Sequence, residues 1–136
     1  MHDVVKVAHR GGSSLAPENT LVSFQAGIDH GADQLELDIH LSSEGEIIIM
    51  HDPRLKQTTG EIGQISDYSL AKLKTFNAAA THKNGKNFGF VPIPTLGEVL
   101  DLVVRTERPI DLQIEIKVDA QGRRYAEIEE KLISLL

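Results

Sequence analysis

The sequence predicts an α/β domain, and three observations carry that expectation. Extended and helical segments alternate along the chain, an order that gives parallel strands with covering helices. Two eight-residue stretches, Gln34–Leu41 and Asp111–Val118, alternate polar and apolar residues without a break, the period of a strand. Apolar stripes at helical spacing stand between and after them.

Val4-Val5-Lys6-Val7-Ala8 is short and β-branched and reads as a buried strand. His9-Arg10-Gly11-Gly12-Ser13-Ser14 follows as a polar loop. A helix is expected from about Asn19, a good N-cap, with Leu21, Phe24 and Ile28 on one face and Gly31 as its stop. The strand Gln34–Leu41 comes next, then a Ser43-Glu44-Gly45 turn and a returning extended segment, 46–50, that delivers His51-Asp52-Pro53. Residues 54–93 differ in texture, with a short helix expected around Ser69–Phe76, and read as an insertion over the frame. Order resumes at Thr95 and Glu98, spaced as a capping box, before the stripe Leu96, Val99, Leu100 and Val103. After the second alternating strand a last helix is expected from about Gln121, burying Tyr125, Ile128, Leu132 and Leu135.

Composition narrows the function. The chain has 136 residues, 40% of them hydrophobic and 25% charged, as expected of one globular domain. No apolar run approaches the roughly 20 residues of a membrane span, so stable membrane insertion is not expected. No basic-then-apolar leader is visible. The absence of cysteine removes disulfides, thiolate metal sites and cysteine nucleophiles, and a cytoplasmic setting is expected. With 14 basic residues against 20 acidic ones the net charge is −6, which disfavours nucleic-acid backbones. Only 4% of residues are aromatic, so stacking platforms for bases are not expected either.

The alternating strands locate the chemistry. Glu36 and Asp38 share one strand face, as do Glu115 and Lys117. Leu35, Leu37 and Ile39, with Leu112, Ile114 and Ile116, are left for the helices. Carboxylates gathered in a confined space repel one another and are costly to desolvate. A divalent cation relieves both costs, and an all-oxygen donor set favours a hard ion, Ca²⁺ or Mg²⁺. His9 and His51 each end an extended segment, where two imidazoles can share general acid and general base work. Arg10 offers a planar fork of donors for phosphate oxygens. The other histidines, His2, His30, His40 and His82, are read as structural. Neither a dinucleotide fingerprint nor a Walker loop is present.

Taken in order, His9-Arg10, Ala16-Pro17-Glu18-Asn19-Thr20, Gly31-Ala32-Asp33, Glu36-Leu37-Asp38, His51-Asp52, Ile93-Pro94-Thr95-Leu96 and Glu115-Ile116-Lys117 resemble the glycerophosphodiester phosphodiesterase family. The resemblance runs from His9 to Lys117. It implies the N-terminal part of a TIM-type (β/α)₈ barrel, with a small insertion after the second strand and a site at the C-terminal strand ends. It further implies that Glu36, Asp38 and Glu115 hold the metal, that His9 and His51 do the acid–base work, and that Arg10 and Lys117 hold the phosphate. Glu18 and Asn19 support the site. The implied reaction is hydrolysis of a small glycerophosphodiester to glycerol 3-phosphate and an alcohol.

Two departures qualify the resemblance. A whole barrel of this type takes about 250 residues, so residues 1–136 amount to a partial domain, with a frame of 1–53 and 94–136 and an insertion of 54–93. Its uncovered barrel edge predicts self-association, and a catalytically silent fragment that binds metal is the alternative to an enzyme. Action on intact lipids is a further alternative within the family. Gln57 stands where the family more usually has Arg.

Overall fold

A computed structural model of the chain describes residues 3–136. Its centre is β2 (Gln34–Leu41), which meets three other strands: β1 (Val7–Ala8), β3 (Ile47–Ile49) and β4 (Asp111–Ile116). β1 and β4 run parallel to β2, and β3 runs antiparallel. Gln34 and Leu35 pair with both β1 and β4, and Ile39 pairs with both β3 and β4. β1 and β3 therefore share one side of β2 and β4 has the other, and the sheet stays open at both edges.

One face of the sheet is packed by α1 (Leu21–Asp29) and, later in the chain, by two further helices. Thr20, not Asn19, caps α1: its hydroxyl accepts from Ser23 N–H, and the Ser23 hydroxyl accepts from Thr20 N–H. Asn19 is excluded from the cap because its backbone is left-handed, at φ 54°. Between β3 and the next long helix lie two single turns, α2 (Lys56–Thr59) and α3 (Leu70–Leu73), the second capped by Ser69. α4 (Leu96–Arg105) carries the expected capping box of Thr95 and Glu98. α5 (Ile128–Leu135) closes the chain.

β3 separates two cores by strand alternation. Ile47 and Ile49 join Phe24, Leu35, Leu37, Ile39, Leu96, Val99 and Ile128 in the main core. Ile48 and Met50 point the other way, into a second core made by Leu55, Ile65, Leu73, Phe76, Val91 and Ile93 of residues 54–93. That segment thus has a core of its own, anchored on β3, and Lys74 ties it to α4 by a 2.5 Å contact with Glu98.

Three further expectations are corrected. The first strand is short, as expected, but not buried: β1 has two residues, and Val4, Val5 and Val7 are exposed, because among the described residues no strand pairs with its outer edge. The strand near the end stops at Ile116, and Ile116 is half-exposed rather than turned into the core. The last helix begins at Ile128, not near Gln121. Asp119 accepts from the backbone N–H groups of Gln121 and Arg123, and such side-chain acceptors compete with helix formation. Tyr125 therefore comes from a loop. His2 lies outside the described residues.

The turn after β1 depends on one glycine. Gly11 has φ +77°, and a Cβ there would lie 2.4 Å from Ser23 Oγ and 2.7 Å from the Ser23 carbonyl carbon. Gly60 has a similar φ, +75°, with open space around it. Gly60→Ala is expected to cost only the left-handed penalty, about 1–2 kcal/mol. Gly11→Ala adds a clash with α1 and should lose clearly more in urea unfolding. Equal losses in the two variants would contradict this packing.

Candidate active site

The strand register builds the site. Asp38 on β2 lies directly opposite Glu115 on β4, and Glu36 lies opposite Gln113. Residues two apart share a face, so Glu36, Asp38 and Glu115 converge. One carboxylate oxygen from each lies within 4.8 Å of the others. Asp38 is the buried member, at 1% exposure, while Glu115 is exposed at the rim and Glu36 is intermediate.

The loop after β1 closes one side. Arg10 is left-handed, at φ 51°, and its backbone N–H donates to Glu36 at 2.9 Å. Its guanidinium donates to Glu18 at 2.8 Å, and its Nε stands 3.8 Å from Asp38. Asn19 donates through Nδ2 to Asp38 Oδ2 at 2.9 Å, and its backbone N–H donates to the Arg10 carbonyl. Glu18 and Asn19 thus fix the Arg10 side chain and the Asp38 carboxylate respectively. His9 Nε2 lies 3.9 Å from Glu36, with the ring mostly exposed.

Lys117 closes the other side. Its ammonium donates to Glu115 at 2.8 Å and lies 3.5 Å from Asp38. Burial alone would lower its pKa, but the Glu115 hydrogen bond and the Asp38 charge outweigh that and hold it above the ordinary lysine value. The Glu115 carboxyl is held below its ordinary value by the Lys117 hydrogen bond first, against a smaller opposing effect of burial. His51 follows β3, with Nδ1 2.9 Å from Asp52 Oδ1.

The donor chemistry fits a divalent cation. The buried oxygens Asp38 Oδ1 and Asn19 Oδ1 have no hydrogen-bond partner among the described residues, an arrangement that ordinarily needs an explanation. Four carboxylates, Glu18, Glu36, Asp38 and Glu115, face two fixed cations, Arg10 and Lys117, which leaves an excess of two negative charges (4 − 2). All the donors are hard oxygens, as Mg²⁺ and Ca²⁺ require.

The nine sequence-derived residues come from two paired strands and three loops: Glu36 and Asp38 from within β2, Glu115 from near the end of β4 with Lys117 just after it, His9, Arg10, Glu18 and Asn19 from the chain after β1, and His51 from the chain after β3. Gln57 stands further out, lining a cavity of about 430 Å³ with Pro17, Glu18, Thr58, Thr81 and Lys83. Two residues next to the site escaped the sequence reading. His40, on the Glu36/Asp38 face, is fully buried, and Tyr125 packs against its ring. Burial holds the His40 imidazole below its ordinary pKa, and burial followed by the Asp119 charge holds the Tyr125 phenol above its own. The period-two pattern that singled out Glu36 and Asp38 also reaches His40, and was the available signal.

The model of the glycerophosphoryl diester phosphodiesterase family matches residues 9–136. A glycerophosphodiester phosphodiesterase from Bacillus altitudinis is 39% identical over 92% of this chain and 49% of its own length. The crystal structure of a putative glycerophosphoryl diester phosphodiesterase from Agrobacterium tumefaciens superposes with a TM-score of 0.82 at 28% identity, over 97% of this chain and 50% of the other. A phosphodiesterase of Oleispira antarctica, solved with the product sn-glycerol-3-phosphate, gives a TM-score of 0.74 at 34% identity, over 83% of this chain and 45% of the other. The chain spans about half the length of the curated relatives it matches. On the family match and the identities together, this chain belongs to the glycerophosphoryl diester phosphodiesterase family.

Proposed function

We propose that this chain carries the metal and acid–base groups of a divalent-cation-dependent phosphodiesterase that splits glycerophosphodiesters into glycerol 3-phosphate and an alcohol. The observation that carries the reading is the pairing of Asp38 with Glu115 across β2 and β4, with Glu36 beside them. We read residues 54–93 as an insertion on the N-terminal part of a (β/α)₈ barrel, as the second core anchored on β3 suggests.

Glu36, Asp38 and Glu115 would hold Mg²⁺ or Ca²⁺. When bound, such an ion polarises a phosphoryl oxygen and stabilises the charge that grows on it. Arg10 and Lys117 stand beside the same carboxylates and add fixed positive charge for the phosphate. Asn19 and Glu18 hold Asp38 and Arg10 in place, so little reorganisation is needed when the diester arrives. His9 and His51 divide the proton transfers: one takes the proton of the attacking hydroxyl and the other gives a proton to the departing alkoxide. The attacking hydroxyl is either water or the free glycerol hydroxyl of the substrate itself, the latter passing through a cyclic phosphate.

A second reading, pairing of two copies along the open sheet edge, is favoured by exposed Ile116 and Val118 at the end of β4, with Ile133 and Leu136 on and after α5. Sedimentation at rising concentration tests it: a growing dimer fraction supports it, and a monomer throughout removes it.

Release of glycerol 3-phosphate from glycerophosphoethanolamine tests the main reading. Turnover is expected with Mg²⁺ or Ca²⁺ and is expected to vanish with a chelator. His9→Ala and His51→Ala should each lower kcat by about 10²–10⁴-fold. Unchanged turnover in either variant would remove that histidine from the chemistry, and turnover indifferent to chelation would remove the metal.

A further inference from the structure

β2 places a third polar side chain on the Glu36/Asp38 face. His40 is fully buried, and both of its ring nitrogens are engaged. Nε2 lies 3.0 Å from the backbone carbonyl of His51, and Nδ1 lies 2.7 Å from the Tyr125 hydroxyl. The Tyr125 ring meets the imidazole edge-on, with centroids 5.7 Å apart and planes at 88°.

The carbonyl contact determines the tautomer. A carbonyl only accepts, so Nε2 must carry the proton. A neutral ring protonated at Nε2 offers Nδ1 as an acceptor, so the Tyr125 hydroxyl must donate to it. Reversing the first bond would set two acceptors against each other, and reversing the second would need a charged ring with protons on both nitrogens. The His51 carbonyl therefore selects the Nε2–H form, and the Tyr125 hydroxyl, which can donate as well as accept, anchors the other side of the ring.

The grip falls where the strand ladder ends. Ile49 is the last β3 residue paired with β2, and the Met50 N–H still donates to the Asp38 carbonyl at 3.1 Å. Beyond His51 the chain turns through Asp52 and Pro53, and Pro53 has no N–H to offer. A backbone carbonyl shielded from water needs a donor, and the His40 side chain supplies one where the sheet does not.

We propose that His40, held as its Nε2–H tautomer by the His51 carbonyl and anchored by Tyr125, is a positioning residue that fixes the main chain at His51 and thereby aims its imidazole at the acidic cluster. The proposal rests on the catalytic reading of His51, and its own claim concerns the placement of that ring. It assigns work to a histidine that the sequence reading treats as structural and to a tyrosine that it treats as core.

The test uses ¹⁵N-histidine-labelled chain with long-range ¹H–¹⁵N correlation, together with kcat and KM on glycerophosphoethanolamine. In the unsubstituted chain His40 is expected as the Nε2–H tautomer. His40→Gln places an amide donor near the former Nε2 and is expected to keep both the His51 ring resonances and turnover. His40→Leu should displace those resonances and lower kcat by roughly 10- to 100-fold with KM unchanged, the scale expected of a misaligned catalytic group. Tyr125→Phe removes the second anchor of the His40 ring and should move the His40 resonances and shift His51 part of the way. An Nδ1–H tautomer in the unsubstituted chain, or unmoved His51 resonances in His40→Leu, would overturn the proposal. Should His40→Leu not fold, unmoved His40 and His51 resonances in Tyr125→Phe would overturn it equally. Displaced His51 resonances in a chain that never turns over substrate would instead count against the phosphodiesterase reading and uphold the positioning.

Discussion

A carboxylate at 1% exposure dominates this structure. Asp38 sits on the central strand, opposite Glu115 and two residues from Glu36, where a buried polar group must find partners to replace its lost hydration. The surroundings answer with groups aimed at it: the Asn19 amide, the Arg10 guanidinium and the Lys117 ammonium. Oδ1 has the Lys117 ammonium at 3.5 Å and no closer hydrogen-bond partner among the described residues. That arrangement is what the proposed divalent cation would occupy.

Holding those groups requires unusual backbone. Arg10 and Asn19 both adopt left-handed conformations, each of which costs on the order of 1–3 kcal/mol outside glycine. The cost is offset locally: the Arg10 carbonyl accepts from both Asn19 N–H and the Ser23 hydroxyl, and its N–H reaches Glu36. Gly11 lets the same loop run against α1, where any side chain would strike Ser23. Of the three left-handed non-glycine residues among those described, Arg10 and Asn19 lie at Asp38, and Glu127 precedes α5.

Much of this was legible in residue order. The alternation of Gln34–Leu41 placed Glu36 and Asp38 on one face, and the Thr95/Glu98 box announced α4 correctly. Failures came where long-range or side-chain effects override local pattern. Tyr125, Ile128, Leu132 and Leu135 keep helical spacing, yet Asp119 takes the backbone donors that a helix through Gln121 would need. Val4, Val5 and Val7 have strand propensity, but burial depends on a neighbour that β1 lacks. Asn19 has the chemistry of a cap, and the site takes it for Asp38. His40 was passed over because a lone histidine in a strand carries no partner in its sequence; Tyr125 is 85 residues away.

The proposed chemistry requires the β2–β4 register to create a site for one divalent cation. Calorimetric titration of the chain with Mg²⁺ and with Ca²⁺, set beside Asp38→Asn and Glu115→Gln, tests it most directly. Saturable binding of one ion to the unsubstituted chain, lost or strongly weakened in both variants while circular dichroism stays unchanged, is the predicted result. Absence of binding by either ion, or equal affinity in the folded variants, would contradict it.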